Sequence, residues 1–309
     1  MTRREFVQDA ATAMTAMTAV TAAVVPWHRV DGAPNAPRPT PKSEPASTAE
    51  WMSGIVSEEF SVKVQQRMIV SRLLSPPRER LAAKPLLLVN IGGVREDSLT
   101  VSPYNLAVKR FLARGHRALG FDLPNHGPRV DTHGEGIAGW RNAWVAGEDR
   151  FAQFVEEASA ALDRCIELGV AEPGRVVVYG ISRGGYMAVR LLAADSRVAS
   201  AAAIAPVTDW RDLTEFSADR GRDDVAVLRL SRYASAIAGR RVFVVIGNSD
   251  KRVSTVSCCR FIAELMDANL RQGHDGSQVE FHCSAMAETG HVVDDSWRGL
   301  GADFLLKTP

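Results

Sequence analysis

Val176-Val-Val-Tyr-Gly180-Ile-Ser182-Arg-Gly184-Gly185-Tyr186-Met-Ala-Val189 is the stretch on which the reading of this chain turns. Its first half is β-branched and apolar, the composition of a strand buried on both faces, and its second half favours helix. Between them stands G-x-S-x-G. A serine on so sharp a turn needs neighbours without side chains, because a Cβ at Gly180 or Gly184 would collide with the adjoining strand and helix. Its hydroxyl is then thrust above the sheet, and the backbone N–H of Arg183 points to where an oxyanion would form. The plainer alternative makes the glycines packing residues and Ser182 a helix N-cap. A base and an acid elsewhere in the chain separate the two readings.

Both are found downstream of the serine. Asp250 lies in Ile246-Gly-Asn-Ser-Asp250-Lys-Arg-Val253, beyond an apolar run, and His291 in Glu288-Thr-Gly-His291-Val292, beyond the last strand-like segment. The chain order is Ser, Asp, His. Asp209, at the end of another strand-like segment, is the rival acid. Asp294 and Asp295 suit the positive start of a closing helix. His282 reads as a packed or surface residue on a strand, and His126 as part of a turn.

Around this centre the chain alternates strand and helix without internal repeats. Strands are expected at 60–64, 68–74, 85–90, 117–122, 175–179, 199–205, 242–247 and 278–283. Helices are expected at 106–114, 150–168, 185–194, 257–270 and 296–306. Within 150–168, Phe151, Phe154, Ala158, Leu162 and Cys165 fall at helical spacing. The alternation predicts an α/β fold, a mostly parallel, doubly wound sheet with its site at the carboxyl ends of the strands. Segments 127–147 and 209–240 break the rhythm and are read as a small cap insertion, with Trp140, Trp144, Trp210 and Tyr186 expected in the substrate pocket.

The elbow, the acid loop and the late histidine together resemble the α/β-hydrolase superfamily, from about Phe60 to the C-terminus. The resemblance implies Ser182 as nucleophile, His291 as general base and then acid, and Asp250 as the group that orients the imidazole. It also implies an oxyanion hole that pairs the Arg183 N–H with a donor from the loop after Asn90. There Asn90-Ile-Gly-Gly-Val94 stands where the superfamily often has His-Gly, and Gly93 is favoured over Val94. Asp122-Leu-Pro-Asn-His126-Gly127 is similar to the superfamily's structural Asp-x-Pro-Gly-His-Gly turn. The Gly184-Gly185 continuation resembles the elbow of prolyl oligopeptidase-like hydrolases, a group of peptidases and esterases. Its full peptidases carry an N-terminal propeller, whereas only a signal and a tether are expected before the hydrolase domain here. The expected activity is therefore a serine hydrolase on a small carboxylic ester, with a peptidase or acyltransferase on the same triad as alternatives and a non-catalytic binding protein as the reading from another class.

Composition sets the outer limits. The 309 residues are 46% hydrophobic and 24% charged, with 37 Lys+Arg against 36 Asp+Glu. So even a balance gives no footprint for nucleic acid or an anionic membrane. Four cysteines without CxxC or zinc-finger spacing predict buried thiols rather than a scaffold, although a bridge among Cys258, Cys259 and Cys283 stays open. No metal or other cofactor is expected. Arg3-Arg4-Glu-Phe6, followed by a charge-free but threonine-diluted stretch from Ala10 to Val25, resembles a twin-arginine export signal and is too weakly apolar for a stable span. This implies 1–32 as an export signal read by the twin-arginine translocation machinery, and a periplasmic or extracellular location. Prolines at 34, 37, 39, 41 and 45 make 33–49 a disordered tether. Residues 50–309 form the hydrolase domain. The first 49 residues hold five basic and four acidic side chains, so the remainder is neutral.

Overall fold

A computed structural model describes residues 51–286, 290, 291 and 293–309 of the chain. The expected export signal and tether lie outside the described residues. Eight strands form one sheet: β1 (Val56–Val64), β2 (Arg67–Ser75), β3 (Leu87–Ile91), β4 (Arg117–Phe121), β5 (Val176–Ile181), β6 (Val198–Ile204), β7 (Arg241–Gly247) and β8 (Val279–Ser284). Their spatial order is β1-β2-β4-β3-β5-β6-β7-β8. The β1/β2 and β2/β4 pairs are antiparallel and every other pair is parallel. The mostly parallel sheet read from the alternation is therefore present.

Among the described residues the longer helices are α1 (Arg95–Thr100), α2 (Leu106–Ala113), α3 (Gly136–Val145), α4 (Arg150–Glu167), α5 (Arg183–Ala194), α6 (Thr255–Arg271) and α7 (Asp295–Leu306), and all but α3 pack on the sheet. The strands feed two cores, one on each face. Along β5, Val176 and Val178 join the core that holds α4, α5 and α6, while Val177 and Tyr179 join the core that holds α2 and α7. The unbroken apolar run seen in the sequence is thus a period of two with both phases buried. Helix α4 starts where the Asp149 carboxylate accepts from the N–H groups of Phe151 and Ala152 at 2.9 Å. All five apolar positions picked out by its helical spacing are buried. Burial pushes the Cys165 thiol up to about 12. Among the described residues no helix is long and apolar enough to cross a membrane.

The sequence reading missed the start of one strand and two short helices. Strand β1 starts at Val56 rather than Phe60, because an edge strand tolerates the exposed Ser57, Glu58 and Glu59 on its way into register with β2. Helices α1 and α3 were not expected at all. Both are short, and α3 lies between glycines that mask its periodicity.

The segments that interrupt the alternation are helical and joined to each other. Arg141 on α3 donates to Asp219 at 2.6 Å, and the Trp140 and Trp210 rings stand 5.5 Å apart. The placement of Trp140, Trp210 and Tyr186 in the substrate pocket is corrected here. All three are fully buried, packed with Phe151 and Phe216 into one aromatic cluster, and Trp144 is packed against the same core. Their apolar surface is consumed by the core and leaves little for a ligand. The Tyr186 hydroxyl, kept protonated by burial, instead donates to the Leu228 carbonyl at 2.6 Å and anchors the second segment. Trp210→Ala is expected to lower stability by about 3–5 kcal/mol, the cost of emptying a large buried aromatic site, as read by urea unfolding. A loss below about 1 kcal/mol would return the ring to a solvent-facing role.

Candidate active site

Ser182 joins β5 to α5 with φ 57° and ψ −118°. A non-glycine residue pays about 1–3 kcal/mol to sit at such a backbone angle. What holds it is backbone on both sides: its N–H donates to Ile204 O at 2.8 Å and its carbonyl accepts from Val207 N at 3.1 Å. The glycines have the role their spacing implied. A Cβ on Gly180 would overlap the Gly184 carbonyl, and one on Gly184 would overlap the carbonyl of Ile91 at the end of β3. Ser182 occupies the N-cap position but its side chain makes no capping hydrogen bond, which removes the plainer reading.

Asp250 is fixed before it meets any partner. Its Oδ1 accepts from the N–H groups of Arg252 at 2.9 Å and Val253 at 3.0 Å, and its own N–H donates to Thr255 Oγ1 at 3.0 Å. That leaves Oδ2 for His291, whose Nδ1 lies 2.7 Å away. The carboxylate is fully buried, while the imidazole keeps about a quarter of its surface exposed. A bridge between Asp250 and Gly290 holds the two loops side by side. Of the rest of the histidine loop, residues 287–289 and 292 lie outside the described residues. Ser182, Asp250 and His291 follow β5, β7 and β8, so all three lie at the carboxyl edge of the parallel strands.

The rival residues have other work. Asp209 pairs with Arg211, at 2.9 Å from Nε, and caps a short helical turn. Asp294 caps α7 by accepting from Ser296 N at 2.6 Å. His282 lies beside Glu280 at 2.8 Å and against Phe243. His126 is buried in its turn, with Nδ1 2.8 Å from Pro124 O.

The loop after β3 was legible only in part. The Arg183 guanidinium covers Gly93 so closely that a Cβ there would stand 2.5 Å from Nη2. The two residues named as oxyanion donors are therefore neighbours, in contact through the Arg183 side chain. Two residues that sequence reasoning did not single out as site supports set this loop. The Asp122 carboxylate accepts from Arg95 N at 2.7 Å, and the Asn90 side chain donates to Ser98 O at 2.6 Å and Tyr104 O at 3.2 Å. A polar residue closing an apolar strand was the available signal in both cases.

A cleft of about 690 Å³ opens beside the acid loop. Asp209, Arg211, Arg220, Lys251 and Arg260 are on its walls, and neither Ser182 nor His291 is. It is charged, unlike the pocket of Trp140, Trp144, Trp210 and Tyr186 expected from the sequence.

A profile of the prolyl oligopeptidase family matches residues 130–298. No curated protein sequence matches the chain significantly. Among solved structures, a putative dipeptidyl aminopeptidase IV from Bacteroides ovatus is similar with TM-score 0.63 and 13% identity, over 82% of this chain and 36% of that one. A cold-adapted esterase from an Arctic intertidal metagenomic library aligns with TM-score 0.60 and 21% identity, over 83% of this chain and 95% of that one. Pyrococcus horikoshii acylaminoacyl peptidase aligns with TM-score 0.58 and 13% identity, over 82% and 40%. The chain thus spans well under half the length of these peptidases. Fold and elbow define a serine hydrolase of the α/β-hydrolase class. Within that class the chain belongs to the prolyl oligopeptidase family.

Two predictions follow from this geometry. Gly184→Ala forces the elbow away from β3 and is expected to reduce activity at least about 100-fold, the scale of a displaced oxyanion donor. Near-normal turnover would show that the Ile91 backbone can yield. The second concerns Arg252, which donates to Glu215 and Thr214 at 2.6 Å each and ties the acid loop to segment 209–240. Burial pushes the Glu215 carboxyl up, but the Arg252 guanidinium outweighs it and the net shift is downward. A carboxyl lowered on folding stabilises above its unfolded value and loses that contribution as pH falls through the folded one. With partial exposure screening the pair, Glu215→Gln is expected to cost about 1 kcal/mol or less at neutral pH. The deficit should shrink as the pH falls below the ordinary glutamate value of about 4.3 and on through the lowered folded one. A deficit that persists in acid would mean that shape, not charge, holds the contact.

Proposed function

We propose that this chain is an exported esterase that cleaves small carboxylic esters through an acyl-enzyme on Ser182, His291 and Asp250. The observation that carries the reading is the 2.7 Å contact between His291 Nδ1 and the fully buried Asp250 carboxylate, at the same sheet edge as the strained serine. A proton on Nδ1 held by Asp250 leaves the Nε2 lone pair to take the Ser182 proton as Oγ attacks the ester carbonyl. The oxyanion is met by the Arg183 N–H, with Gly93 supplying the second donor. Collapse expels the alcohol, which takes the proton from His291. Water then repeats the sequence on the acyl-enzyme and releases the acid.

Ester over amide is supported by the metagenomic esterase, nearly all of whose length this chain matches. A second reading, a peptidase on the same three residues, is supported by the family and by the aminopeptidase and acylaminoacyl peptidase neighbours. Export rests on Arg3-Arg4 and the weakly apolar stretch after them; Lys at both positions is expected to leave the protein in the cytoplasmic fraction.

A fluorophosphonate probe should label the wild type and not Ser182→Ala. Asp250→Asn should cut kcat for nitrophenyl acetate by about 10²–10⁴. Equal labelling of Ser182→Ala, or an unlabelled wild type, would overturn the hydrolase mechanism. On a panel of nitrophenyl esters and aminoacyl and prolyl amides, turnover of amides but not esters would make the peptidase reading the correct one.

A further inference from the structure

The fold places two accessible thiols on α6 and β8, in the stretch of chain between Asp250 and His291. Strand β8 is an edge strand, and its register pairs Cys283 with Ile246 of β7. Paired residues of parallel strands face the same side. Ile246 points into the core formed with Cys258, Phe261 and Ile262 of α6, so Cys283 also faces α6. On that helix Cys259 precedes Ile262 and Met266 at helical spacing, at the border of the buried face. Cys259 and Cys283 are both exposed, whereas Cys258 and Cys165 are buried. Burial, followed by the nearby Cys259 thiol, pushes the Cys283 thiol above its ordinary range.

We propose that Cys259 and Cys283 are a redox pair that closes a disulfide between α6 and β8. The consequence follows from where the two elements lie. Helix α6 begins just past Asp250, and β8 ends just before the loop that carries His291. A covalent tie between them holds the edge strand against its helix and so holds the acid and base loops in register. The oxidant is a small disulfide such as oxidised glutathione. One cysteine thiolate attacks a glutathione sulfur and expels the first glutathione thiolate. The second cysteine gives up its proton, attacks the mixed disulfide and expels the second. The pair loses two electrons and two protons, and both glutathiones leave reduced.

The test is to equilibrate the purified full-length protein with oxidised glutathione and count maleimide-reactive thiols after denaturation. The count should fall from the four cysteines of the sequence to those of Cys165 and Cys258, with one peptide cross-link joining Cys259 to Cys283. The melting midpoint should rise by about 5 °C or more, and dithiothreitol should reverse it. Cys259→Ser and Cys283→Ser, both surface substitutions, should each leave a glutathione adduct on the remaining partner and no internal link. Four reactive thiols, stable adducts on both cysteines of the wild type, or a link that uses Cys258 would each overturn the pairing. A cross-link with no change in melting would overturn its role in holding β8.

Discussion

Three stretches of backbone meet beneath Ser182 with no room for a side chain, and the rest of the site depends on that contact. Gly184 lies on the Ile91 carbonyl, and Gly180 lies on Gly184. Because β3 and β5 are hydrogen-bonded neighbours, with Ile91 paired to Gly180, the same approach fixes the nucleophile and the loop that begins after Ile91. The strained angle of Ser182 persists because the surrounding structure allows nothing else. Its N–H and carbonyl are both committed to the β6 end of the sheet. Two buried cores supply the stabilisation against which that strain is a small charge.

The acid and base depend on a different part of the sheet. Asp250 is oriented by local backbone donors, a geometry that a short loop can build alone. Its meeting with His291 is non-local, since it needs β7 and β8 to be adjacent and parallel so that their carboxyl ends open side by side. Competition among carboxylates is settled by arginines: Arg211 occupies Asp209, Arg252 occupies Glu215, and Arg141 occupies Asp219. Asp250 alone of these four turns an oxygen toward an imidazole.

The aromatic residues show where sequence reasoning failed. Trp140, Trp210 and Tyr186 lie near polar, glycine-broken segments, and a tryptophan there suits a ligand pocket or a core equally well. Nothing in residue type separates the two, because burial is decided by what packs above the ring. Here Phe151 of α4 and Phe216 of the second segment close over Trp210. Helices α1 and α3 escaped for local reasons: α1 is too short for periodicity to register, and glycines break the pattern of α3.

By itself the sequence determined the alternation of strand and helix, the strand–serine–helix elbow and the order Ser, Asp, His. These are local signals, carried by apolar runs, by glycines that alone tolerate such close approach, and by residues placed just beyond strand ends. The tertiary structure decided which carboxylate meets His291, which loop residue lies beside Arg183, which tryptophans are core, and that Cys283 faces α6. Each of these is a contact between segments far apart in the chain, set by sheet order and register. No spacing along the chain encodes such a contact.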